Sequence, residues 1–119
     1  MSENRSELLS EMQCTACNKN TRLLNDNEIA LLKNELSDWQ VFNDSGINKL
    51  SQRFVTKNYT RSMAFTNAVA QLASEINHHP LMIVEYGAVT VVWWSHIIKG
   101  LHKNDFIMAA KTSELFAQG

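Results

Sequence analysis

Residues 77–95 read NHHPLMIVEYGAVTVVWWS, and their reading decides the fold. Pro80, the single proline of the chain, disfavours the α region for the residue before it. A helix entering from upstream must therefore stop by about His78, and His79 must turn extended. Met82 to Tyr86 and Ala88 to Ser95 are rich in β-branched and aromatic residues on either side of Gly87, which predicts an antiparallel hairpin.

Upstream, Phe65, Val69, Leu72 and Ile76 recur at helical spacing behind Asn58, a good N-cap, so a helix runs into the histidines. Ahead of it, Trp39 and Val41, the turn Asn43-Asp44-Ser45-Gly46 and a strand near 47–56 carrying Leu50 and Phe54 make another hairpin. Asn25 followed three residues later by Glu28 resembles a capping box and opens a helix over 26–36 with Ile29, Leu32 and Leu36. Lys103 to Ala117, with Phe106, Ala109, Ala110 and Ser113 on one side, forms the last helix. The order αββαββα predicts an α+β fold: a four-stranded antiparallel sheet with three helices on one face. Residues 1–24 form a loose N-terminal segment, and 25–119 a single domain.

The 119 residues, 45% hydrophobic and 19% charged, suit one globular domain. A net charge of −1 without lysine or arginine runs argues against direct nucleic-acid binding. Four glycines form no phosphate-binding loop, and neither a leader-like start nor a membrane-length apolar run is visible, so a cytoplasmic protein is expected. Cys14-Thr15-Ala16-Cys17 has the spacing of zinc and redox motifs but lacks a second pair at finger-like distance.

The chemistry-bearing residues cluster around the opening stretch. His78 and His79 lie in the connection into one strand of the hairpin, and His96 ends the other, so three imidazoles can converge at one end of the sheet. Asp105 falls in the first turn of the last helix, where a carboxylate by itself complements the helix N-terminus. His96 alone suits a hydrogen-bonded structural role, and His102 is a solvent-facing residue or a poor cap. Of Trp93 and Trp94, on opposite faces of a strand, one packs inward and the other is free to cover a ligand or a partner subunit. Three histidines admit a metal site with Asp105 behind one ring, or acid–base catalysis in which one ring gives a proton and another takes one. Spacing alone leaves both open.

NHHP at 77–80, Tyr86-Gly87 with Val89, and WWSHIIKGLHKNDFIMAAKT at 93–112 resemble the pterin-4a-carbinolamine dehydratases, in particular bacterial members associated with phenylalanine hydroxylase. The resemblance extends through Trp39, residues 54–73 and the CTAC start. It implies the α+β fold above, a homodimer or homotetramer, and dehydration of 4a-hydroxytetrahydropterin to quinonoid dihydropterin, recycling the pterin of an aromatic amino acid hydroxylase. It also implies no metal and no organic cofactor. Carried over by position, it makes His78, His79, His96 and Asp105 the catalytic set, with Pro80, Ser95, Ile97 and Ile98 beside the histidines against the pterin. One departure stands out: some relatives place a glutamate four residues before the histidine pair, where this chain has Ser74, and the adjacent Glu75 faces about 100° away on a helix. Two other readings remain, a regulatory or dimerisation module acting on the hydroxylase or a transcription regulator, and a metal-dependent hydrolase.

Overall fold

The computed structural model describes residues 8–15 and 18–119. Its order is α1 (Asp26–Lys33), β1 (Gln40–Asp44), β2 (Ile47–Val55), α2 (Tyr59–Ile76), β3 (Leu81–Val84), β4 (Ala88–Trp93) and α3 (Lys103–Gln118), with a short 3-10 turn at Leu9–Glu11. The αββαββα sequence of elements is as expected, and the four strands form one antiparallel sheet in the order β1-β2-β4-β3.

Turn chemistry builds the first hairpin. Asp44 pairs with Ile47, so Ser45-Gly46 is the whole loop. Both loop residues have positive φ, 55° and 90°, as the type I′ turn that matches strand twist requires. The two central strands pair Leu50 with Trp93 and Phe54 with Val89, so these four side chains share one face with Val91. Against that face pack Phe65 and Val69 of α2 and Phe106, Met108 and Ala109 of α3. Phe54 sits between Phe65 and Phe116, with ring centroids 4.9 and 5.0 Å away. Trp93 and Trp39 are buried, and each satisfies its indole N–H on a hydroxyl of α3, Thr112 at 3.1 Å and Ser113 at 2.8 Å.

Several boundaries differ from the sequence expectation. Helix α1 stops at Lys33, not 36, because the chain tightens there: Leu36 N–H donates to the Lys33 carbonyl, which tucks Leu36 into the core beside Trp39. The buried face of α2 is Ser62, Phe65, Val69 and Ala73, with Leu72 and Ile76 half-buried at its margin. Ser62 is inside because its hydroxyl donates to the Tyr86 carbonyl and is hydrogen-bonded to Thr56, tying the start of α2 to both hairpins. β3 begins at Leu81 and ends at Val84, and β4 ends at Trp93, two residues short of Ser95.

Where it is described, the N-terminal stretch packs against the core and α3. Leu9 is 3% exposed and Met12 packs on the same core. Lys111 of α3 donates to the Ser10 carbonyl at 2.9 Å, and the Asn104 side chain holds both backbone groups of Thr15. A few apolar residues spaced among polar ones suffice to dock such a segment when a helix supplies the hydrogen-bond partners. Cys17, the second cysteine of the CTAC pattern, lies outside the described residues.

Candidate active site

The α2 helix delivers its histidines by a device other than the proline. Asn77 adopts the left-handed region (φ 60°, ψ 42°), and the His78 N–H reaches back to the Ala73 carbonyl at 3.1 Å. This six-to-one closure is a Schellman end, and asparagine is one of the few non-glycine residues that enter the left-handed region at low cost. The helix therefore ends at Ile76, and Pro80 merely starts the extended run into β3. Two adjacent rings then leave an extended backbone in different directions. The His78 side chain is 17% exposed and stacks 5.6 Å from Trp93, while His79 is exposed.

His96 does not end a strand. It sits in the loop 96–99, whose ends are closed by Ser95 and Gly100: Ser95 N–H donates to the Gly100 carbonyl at 2.8 Å and Gly100 N–H to the Ser95 carbonyl at 3.3 Å. Lys99 takes the left-handed conformation that closes this loop (φ 56°). The His96 ring stacks on Trp94 at 4.3 Å, and Lys49 lies 4.0 Å from the centroid of that indole. His96 Nε2 is 3.2 Å from the His79 carbonyl oxygen. A carbonyl only accepts, so Nε2 carries the proton and Nδ1 is the acceptor of the neutral ring.

Asp105 is fully buried and accepts at both oxygens. Its Oδ2 takes the Ser95 hydroxyl at 2.8 Å and the His102 backbone N–H at 2.9 Å, and its Oδ1 lies 2.7 Å from His78 Nε2. With a carboxylate on one side, His78 Nε2 is the N–H and Nδ1 again the acceptor. His102 is neither solvent-facing nor a poor cap: its Nδ1 accepts the Asn104 N–H at 3.1 Å, and with Asp105 it forms a reciprocal capping box. Burial pushes the His102 ring below its ordinary range, as an imidazole that must accept requires.

These elements enclose a cleft of about 430 Å³, in the range of small-molecule sites. Of the expected residues, His78, His79, Ser95, His96 and Ile97 line it, and Asp105 lies behind His78. Pro80 and Ile98 do not line it, nor do Ser74 and Glu75. The lining also includes Cys14, Thr15, Ile76, Asn77 and Asn104, none of which the sequence reading placed there. The CTAC pattern drew notice to Cys14, but no local signal tied it to a helix 90 residues away. Among the described residues, no three His, Cys, Asp or Glu side chains are grouped to hold a metal ion. His78 and His96 each spend Nε2 on a fixed oxygen, and among the described residues no helix is long and apolar enough to cross a membrane.

Fold and cleft together define an α+β protein with a histidine-lined cleft, backed by a buried carboxylate, at one end of its sheet. The chain belongs to the family described as Pterin 4 alpha carbinolamine dehydratase, which matches residues 22–115. A Nitrosococcus oceani protein, named as a candidate pterin-4-alpha-carbinolamine dehydratase, is 47% identical over 109 residues, covering 92% of this chain and 96% of its own. Among solved structures, a transcriptional coactivator/pterin dehydratase from Brucella melitensis has a similar fold, with TM-score 0.71 and 24% identity over 79% of this chain and 98% of its own. A pterin dehydratase-like protein described as a RuBisCO assembly factor in the alpha-carboxysome has TM-score 0.57 and 22% identity over 66% of this chain and 89% of its own. At these identities the two structures show the shared fold alone.

Proposed function

We propose that the protein is a hydro-lyase that dehydrates 4a-hydroxytetrahydropterin to quinonoid dihydropterin, and so regenerates the pterin used by an aromatic amino acid hydroxylase. The observation that carries this is the pair of imidazoles on one cleft, each with Nε2 committed to a protein oxygen and Nδ1 left to exchange protons. In the reaction the C4a–O bond breaks and its electrons leave with the hydroxyl. The N5–H pair becomes the second bond of C4a=N5, one proton leaves N5, and one proton converts the departing hydroxide to water.

His78 takes the N5 proton at Nδ1, and the Asp105 carboxylate faces the charge this places on the ring. His96, protonated at Nδ1, gives its proton to the leaving hydroxyl; Trp94 and the His79 carbonyl hold its plane. His79 supplies that carbonyl and an exposed ring at the rim. The family assignment supports this reading over a regulatory or dimerisation role, because such a role has no need of an acid–base set in a cleft.

Turnover of a chemically generated 4a-carbinolamine, followed by absorbance, tests the proposal. His78→Ala and His96→Ala should each lower kcat by about 10²- to 10⁴-fold, the usual worth of a positioned acid or base. Full activity in both variants would refute it.

A further inference from the structure

The segment before the family-matched stretch 22–115 reaches the cleft, and α3 is built to hold it there. Asn104 and Lys111 are seven residues apart and so lie on one face of that helix. Lys111 takes the Ser10 carbonyl. Asn104, 4% exposed, accepts the Thr15 N–H on Oδ1 at 2.9 Å and donates through Nδ2 to the Thr15 carbonyl at 2.8 Å. Both backbone groups of one residue are thereby satisfied by one side chain, as in a pair of β-strands. Leu9 and Met12 anchor the same segment in the core. The result is a strap that places Cys14 and Thr15 in the cleft wall beside His78 and Ser95.

We infer that Asn104 is a positioning residue that fastens residues 12–15 as a wall of the cleft, so that Cys14 and Thr15 close against the pterin ring. The inference rests on the proposed substrate class. Its physical basis is polarity: the histidine lining, His78, His79 and His96, is polar, whereas the strap offers a half-buried thiol whose S–H is directed 3.9 Å to the Asn104 carbonyl. Burial pushes that thiol up to about 11, so at neutral pH it is an uncharged, polarizable surface suited to a flat heteroaromatic ring.

Two measurements test this. With Cys17→Ser making Cys14 the sole thiol, alkylation by iodoacetamide is followed by mass spectrometry with and without biopterin, a stable oxidised pterin. Saturating biopterin should slow labelling, and Asn104→Ala should speed labelling and weaken that protection. In turnover, Asn104→Ala should raise KM about three- to thirtyfold, the range set by losing one or two neutral hydrogen bonds, with kcat within about twofold. Thr15→Pro, which deletes the Thr15 N–H donor and leaves α3 intact, should raise KM in the same way, and the double variant should be no worse than Asn104→Ala. A change in melting temperature with KM unmoved, or no protection by biopterin, would overturn the strap. An inactive wild-type chain whose Cys14 is still protected by biopterin would overturn the proposed reaction and support the strap.

Discussion

Replacing Asp105 by asparagine isolates what the buried carboxylate does for His78. The side chain keeps its shape, but one acceptor oxygen becomes an NH₂ donor. Three donors face the carboxylate, and the pair on Oδ2 competes with His78 for the remaining oxygen. The backbone N–H of His102, 2.9 Å from Oδ2, can only donate, and Ser95 on the same oxygen donates at 2.8 Å, so the amide oxygen settles there. The amide NH₂ then faces His78 Nε2, now 2.7 Å from Oδ1, and that nitrogen must become the acceptor. The proton moves to Nδ1, the position the reaction needs free.

Asp105→Asn should therefore fold with about 1.5–3 kcal/mol less stability, the worth of a hydrogen bond to a charged group. It should lose roughly 10²-fold or more in kcat, as a misplaced general base does. Urea denaturation gives the first quantity and carbinolamine turnover the second, while ¹⁵N shifts of the His78 ring report the tautomer directly. Turnover within a few fold of wild type, with the Nδ1–H tautomer visible, would refute the assignment of His78 as proton acceptor.

Two further predictions concern stability. Because the folded protein holds His102 below its ordinary range, with burial the larger cause, Asp105 opposing and His78 reinforcing it, the capped helix is fully stable above about pH 6.5 and loses stability as pH falls through the lower folded value. His102→Asn keeps a side-chain acceptor without a titrating ring, so its melting temperature should fall less between pH 7.5 and 5; an unchanged slope would count against this. At Asn77, where φ is 60°, Asn77→Gly should leave urea stability within about 0.5 kcal/mol, while Asn77→Ala should cost about 1 kcal/mol for a Cβ in the left-handed region. Equal stabilities would show that the Schellman end is not holding the conformation.

The parts of the fold legible in the sequence were those written in local chemistry. Asn43-Asp44-Ser45-Gly46 announces a two-residue turn, and the alternation through Leu50 and Phe54 fixes which face meets the helices. Asp105 was legible as a group near the histidines. Its pairing with His78 over the other rings was not, because that depends on where the Schellman turn aims a side chain. Composition extends strand β4 two residues too far, through Trp94 and Ser95, because tertiary partners claim them, Lys49 and His96 for the indole and Asp105 for the hydroxyl. The strap was illegible for a different reason. Leu9, Met12 and Cys14 show no helical or strand period, and their partners lie on the last helix.

The closed loop between Ser95 and Gly100 has a use for anyone redesigning the protein. Its two ends are clasped to each other by backbone bonds alone, so the clasp is indifferent to what the four intervening side chains are. With His96 kept and residue 99 restricted to types that accept φ near 56°, such as glycine or asparagine, positions 97 and 98 form a small exchangeable cassette. Ile97 borders the cleft and is 59% exposed, so a library there reshapes the mouth of the cleft without drawing on the buried core.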